Sequence, residues 1–166
     1  MAAHNVKALC ESTRSSLKEA VALMESFLNS TTIESLNPVA DEQTQEFYRD
    51  FLSDLRRLCV YTEDGYEKLG VALRRKTFPV DYAEKVLHEV FHQCVNQFFF
   101  PKHECYSEEG RYAYTGQDAI RFRKKPARAV RDITLQLSKI FEVLREELAY
   151  YETDYVTKRK MQEHQV

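Results

Sequence analysis

The sequence predicts an all-α protein: an up-and-down four-helix bundle with a short β-hairpin-like insert, about residues 104–124, between the third and fourth long helices. Three observations predict it. Glycine and proline number only four each in 166 residues, which is too few for a loop-rich chain. Apolar residues recur at spacings of three and four over four long stretches, the period of a helix with one buried face. One stretch, 100–125, drops that period and alternates instead. With 43% hydrophobic residues, the length suits a single domain, 1–166, whose polar end is expected to fray from about residue 158.

The first helix is expected over about 3–29, from Val6, Leu9, Cys10, Leu17, Val21, Met24 and Leu28. Thr31 and Glu34 have capping-box spacing and predict a short turn before Asn37-Pro38. Phe47, Phe51, Leu55, Leu58, Thr62, Tyr66, Leu69 and Leu73 mark a second helix over about 40–75. Gly65 and Gly70 weaken it by roughly 1 kcal/mol each without ending it. Pro79 suits a first helical turn. The third stripe, Val86, Leu87, Val90, Phe91, Cys94, Val95 and Phe98, runs up to Pro101. In "RYAYTGQDAIRFRK" Tyr112, Tyr114, Ile120 and Phe122 face one way and Arg121 and Arg123 the other, with a turn at 115–118 between two short strands. From Pro126, the stripe Val130 through Leu137, Phe141, Leu144, Leu148, Tyr151 and Tyr155 predicts one continuous helix to about 160. Three consecutive phenylalanines, 98–100, cannot share a face, so at least one is expected against the insert.

Composition excludes several classes. A net charge of −2 gives no global attraction to nucleic acid or anionic membrane. No stretch approaches the roughly 20 apolar residues of a membrane span, and no signal peptide is visible at the N-terminus. Cys10, Cys59, Cys94 and Cys105 form no C-x-x-C pair. The expectation is free thiols in a reducing, cytoplasmic setting, with Cys105 the most exposed.

The most specific string is "HEVFH", 88–92. On a helix, His88 and His92 lie one turn apart and can share a zinc, with Glu89 polarising a bound water. The companion residues are wanting. The extended metzincin pattern needs Gly and His where Val95 and Phe98 stand. His103 and Cys105 are conceivable third ligands, and no glutamate follows at helical spacing. Projection puts both histidines beside the apolar stripe, half exposed, and Glu89 near the opposite side. Random order would produce this motif in roughly one or two chains per hundred. The histidines are therefore read as boundary residues, with zinc at His88 and His92 the alternative and no cofactor expected. A di-iron site would need a second Glu-x-x-His, and there is none in the sequence.

Charge is densest after the insert: Arg111, Arg121, Arg123, Lys124, Lys125, Arg128 and Arg131 against Asp118. Arg121, Arg123, Lys124, Lys125 and Arg128, ahead of a helix N-terminus, are the candidate anion site, with nucleic acid a possible partner through 111–131. The plainer reading is a solvated strand edge protected by charge. "ELAYYETDY" brings tyrosines and carboxylates together at a helix end. Tyr150, Tyr151 and Tyr155 are the candidate interface residues, against a reading in which they close the core. No G-x-S-x-G elbow or glycine-rich phosphate loop occurs.

"TTIESL" at 31–36, "HQCVNQFFFPK" at 92–102, "AYTG" at 113–116 and "ELAYYETDY" at 147–155 resemble, in content and order, the YpuI-like family of small uncharacterised proteins from Bacillus and relatives. The resemblance implies a bacterial cytoplasmic protein and carries no activity, substrate or catalytic residue. It also argues against a zincin. The functional expectation is a non-enzymatic binding or regulatory module, acting through a protein partner or self-association and not at a membrane. A metal-dependent hydrolase centred on HEVFH and a phosphate or nucleic-acid binder using the basic insert are the alternatives.

Overall fold

The computed structural model describes residues 3–37, 41–108 and 120–164. The chain is mostly helical, with one two-stranded antiparallel sheet. Helix α1 spans Ala3–Ser30 and the single turn α2 spans Ile33–Leu36. Helix α3 runs Glu42–Arg74 and passes both glycines unbroken. Helix α4, Val80–Val90, continues through a π turn, Phe91–Val95, into α5, Asn96–Phe99. Strands β1, Tyr106–Glu108, and β2, Ile120–Phe122, follow. Helix α6, Arg128–Glu147, leads through a 3₁₀ turn, Ala149–Tyr151, to α7, Asp154–His164.

Helix α1 packs against α3, α4 and α6, and α3 against α4. The predicted stripes meet there: Leu17, Met24, Phe47, Leu69, Leu87, Phe98, Leu137, Phe141 and Leu144 are all essentially inaccessible. Gly65 sits where three helices converge. A Cβ at this position would lie 3.0 Å from Val90 Cγ2 and 3.3 Å from Leu17 Cδ1. The local cost of this glycine in a helix interior is thus offset by close approach of neighbouring elements.

The β ribbon is fastened to the helices by three kinds of contact. In register, Tyr106 faces Phe122, Ser107 faces Arg121 and Glu108 faces Ile120. The Tyr106 hydroxyl donates to the Phe98 carbonyl at 2.6 Å. Arg145 of α6 donates to both carboxylate oxygens of Glu108, at 2.7 and 3.2 Å, and its guanidinium lies 3.9 Å from the Phe99 ring centre. Phe98 also stacks on Phe141 with centroids 4.9 Å apart. Phe98 and Phe99 are buried and Phe100 is 77% exposed, so the Phe triplet divides between core and surface. Phe98 meets the ribbon, as the triplet's geometry predicts, with its ring 5.6 Å from that of Tyr106.

Four expectations change. The fourth long helix is not continuous to about 160; it stops at Glu147 and restarts at Asp154. The small cap is Thr32 with Ser35, not Thr31 with Glu34: Ser35 N–H donates to Thr32 Oγ1 at 3.1 Å and Thr32 N–H to Ser35 Oγ at 3.0 Å. The strand paired with Ile120–Phe122 is Tyr106–Glu108, while the expected strand around Tyr112 and Tyr114 and the turn at 115–118 lie outside the described residues. Cys105 is fully buried rather than exposed, because the chain enters β1 over α3 and the thiol is directed at the Phe47 carbonyl, 3.7 Å away.

Candidate functional site

Two strings singled out in the sequence come together in space. His88 Nδ1 lies 3.1 Å and His92 Nε2 3.2 Å from one acceptor, the carbonyl oxygen of Tyr151. Asn96 Nδ2 approaches His92 Nδ1 at 3.4 Å. Because a carbonyl oxygen can only accept, these contacts assign the protons: Nδ1–H on His88 and Nε2–H on His92 both donate. The ring centres are 4.4 Å apart. Tyr151 is fully buried, and its hydroxyl donates to Glu84 Oε2 at 3.0 Å. Burial and the neighbouring Glu84 carboxylate push that phenol well above its ordinary range. HEVFH thus fastens the junction of α6 and α7 onto α4.

Glu89 does not accompany the histidines. Projection alone places it on the solvent side; instead it is half buried and accepts from Lys68 of α3 at 3.1 Å. Lys68 also bonds Asp64 at 3.0 Å, and these two carboxylates, Asp64 first, hold its ammonium above the usual lysine range. His88 is half buried, as the projection implies, whereas His92 is exposed rather than half exposed. Among the described residues no group of three or more His, Cys, Asp or Glu side chains is placed to hold a metal ion.

His103, a conceivable third ligand, has another partner. Asp54 is 5% exposed in the middle of α3. Its carboxylate accepts the His103 backbone N–H at 3.0 Å and Nδ1–H at 2.8 Å. Glu104, immediately after, has φ 51°, in the left-handed region, and the chain turns there into β1. Sequence reasoning missed this clamp. Its signal is an aspartate three residues after Phe51 and four before Leu58, within an apolar stripe, where a carboxylate needs a fixed donor.

The basic set divides. Arg123 donates to the His103 carbonyl at 3.0 Å and to Asp50 at 3.4 Å, with Phe47 beneath it. Arg128 approaches Asp132 at 3.8 Å. Arg121 and Lys125 are exposed and Lys124 is half buried; Arg111 lies outside the described residues. Arg121 borders a groove of about 750 Å³ with Phe99, Phe100, Lys102, Glu104, Phe122 and Arg123. A second, polar cavity of about 350 Å³ lies between the first turn of α4 and α7. The tyrosines divide too: Tyr151 and Tyr155 are buried, and Tyr150 is partly exposed at the rim of the polar cavity.

All four cysteines are free and buried. Burial pushes the thiols of Cys10, Cys94 and Cys105 from the ordinary 9.0 up to about 12. A group raised on folding contributes stability that is intact below its unfolded value and is lost as pH rises toward its folded one. The urea midpoint should therefore fall progressively above pH 9. Native protein at pH 8 should react with a thiol reagent only as fast as it opens, with thiolate absorbance appearing on denaturation. Prompt reaction of Cys94 or Cys105 without denaturant would contradict their burial.

Fold and site together define a class: a helical protein with a small antiparallel ribbon, whose polar side chains tie elements together and line surface cavities. The chain belongs to the family described as "Protein of unknown function (DUF3907)", which matches residues 10–157. It is 38% identical over 148 residues to the uncharacterised protein YpuI of Bacillus subtilis (strain 168), a match covering 89% of this chain and 82% of that protein. The resemblance read from the four short strings is thereby established. No solved structure matches the chain. Family and relative are both of unknown function, and no described helix is long and apolar enough to cross a membrane.

Proposed function

We propose that this protein is a non-enzymatic cytoplasmic binding module: an up-and-down four-helix scaffold presenting its ribbon groove to a protein partner. One observation carries the reading. Phe100 is 77% exposed and stands in a groove bordered by Lys102, Arg121 and the Asp50-paired Arg123 against one carboxylate, Glu104. A large apolar side chain in a concave site with mostly cationic borders is the pattern of an interface anchor. The partner that fits is an acidic segment carrying an apolar or aromatic side chain. Nucleic acid is the weaker fit, because Arg123 and Arg128 already face Asp50 and Asp132.

Selection from a displayed random-peptide library tests this. Enriched peptides should be acidic with an aromatic residue, and Phe100→Ser or Arg121→Glu should weaken them about tenfold or more. Enrichment indifferent to Phe100 would sink the reading. Salt-dependent retention of oligo(dT) that Arg121→Glu abolishes would replace it with the nucleic-acid alternative. Stoichiometric zinc in the purified protein, lost in His88→Ala, would replace it with the hydrolase.

A further inference from the structure

The polar cavity between α4 and α7 belongs to neither the ribbon groove nor the proposed docking function. We infer that it is a binding site for a small zwitterion of amino-acid to dipeptide size, carrying an ammonium and an anionic group. Its volume, about 350 Å³, is at the small end of ligand pockets.

The two charged walls come from different elements. Asp81 and Glu84, three residues apart on the first turns of α4, supply carboxylates on one side. Lys158 and Arg159 of α7 supply cations on the other. Among the described residues these walls do not close on each other: no ion pair joins them, and Arg159 donates instead to the Tyr155 hydroxyl at 2.8 Å. Opposite charges held apart across a cavity favour a ligand that carries both, with its ammonium toward α4 and its anion toward α7. A dication would meet Lys158 and Arg159, and a dianion would meet Asp81 and Glu84.

Aromatic surface favours the ammonium end further. Tyr150 and Tyr155 border the cavity, their rings edge to face with centroids 6.4 Å apart; Arg159 already lies over the Tyr155 ring at 5.7 Å, which leaves Tyr150 as the tyrosine face for a ligand cation. Burial, with the Glu84 and Asp154 carboxylates, raises the Tyr150 phenol above its ordinary range, consistent with a negative field on that side.

One carboxylate of the acidic wall, Glu84, is also fixed in place before any ligand arrives. Tyr151 is fully buried and holds Glu84 through its hydroxyl at 3.0 Å. His88 and His92 in turn hold the Tyr151 carbonyl. The HEVFH histidines therefore act as positioning residues for the pocket, one shell removed from the ligand.

Titration of the full chain by ¹H–¹⁵N NMR tests the site, using free α-amino acids, glycine betaine and X-Gly dipeptides as probes. At least one should give saturable shifts centred on Glu84, Tyr150 and Arg159, with a Kd below about 1 mM. Putrescine and acetate, which carry one sign of charge each, should bind about tenfold more weakly or worse. Asp81→Asn and Arg159→Gln, both at exposed positions, should each weaken the best probe about tenfold while leaving the rest of the spectrum in place. Phe100→Ser, which addresses the ribbon groove alone, should leave this binding unchanged. Absence of saturable shifts across the panel to about 10 mM would overturn the inference. So would undiminished binding in both charge variants, or putrescine or acetate binding as tightly as the best zwitterion.

Discussion

Replacing Tyr151 with alanine is expected to lower the unfolding free energy by about 3–5 kcal/mol, the range for removing a fully buried aromatic side chain. The ring is inaccessible; it packs edge-on against Tyr150, centroids 5.1 Å apart, and tilted against Tyr155, 5.3 Å apart. Deleting it leaves a cavity where α4 meets the 3₁₀ turn and strands the Glu84 carboxylate. Tyr151→Phe separates the two contributions: it keeps the ring and removes only the 3.0 Å bond to Glu84, for a loss of about 1 kcal/mol. Urea unfolding of the three proteins measures both. If alanine and phenylalanine cost the same small amount, the α6–α7 junction is not the fixed element described.

The second large effect belongs to Asp54. Asp54→Ala is expected to cost about 2–3 kcal/mol, since it removes two charge-assisted acceptor contacts and leaves the His103 N–H without its partner. His103 is about one-third exposed, so solvent tempers the side-chain share of that loss. Asp54→Asn keeps one carbonyl oxygen for the backbone N–H and should recover roughly half. Because Arg123 donates to the His103 carbonyl, the loss also reaches the ribbon. Hydrogen exchange at the His103 amide should speed up in Asp54→Ala, and a rate equal to that of the unaltered protein would show that the clamp is not formed.

What the sequence made legible follows the strength of each local signal. Long helices with an apolar stripe sustained at a 3.6-residue period were readable, and even the glycines in α3 did not hide it. The break after Glu147 was hidden because Leu148, Tyr151 and Tyr155 keep helical spacing across a 3₁₀ turn, with no glycine or proline to mark it. The three residues of β1 are too few to show an alternation.

The site was half legible for a similar reason. HEVFH shows two histidines on one side of a helix, but their partner is a backbone carbonyl 59 and 63 positions away in the chain, and a carbonyl has no residue signature. Charge clustering found Arg123 but not its direction, since Asp50 and His103 lie elsewhere in sequence. The groove and the polar cavity arise where distant elements meet, so no contiguous string announced them. The Phe triplet was the one local clue to the groove.

The π turn at Phe91–Val95 gives the fourth element a change of phase. A turn of this kind holds one residue more than an α-helical turn, which offsets the faces before and after it by about 100°. Upstream of it, His88 serves the C-terminal junction; downstream, Phe98 serves the ribbon and α6. One continuous rod therefore addresses two clients that lie in different directions. The residue count between positions 91 and 95 acts as an angular setting, so a single deletion there would restore a regular helix and still turn one client away.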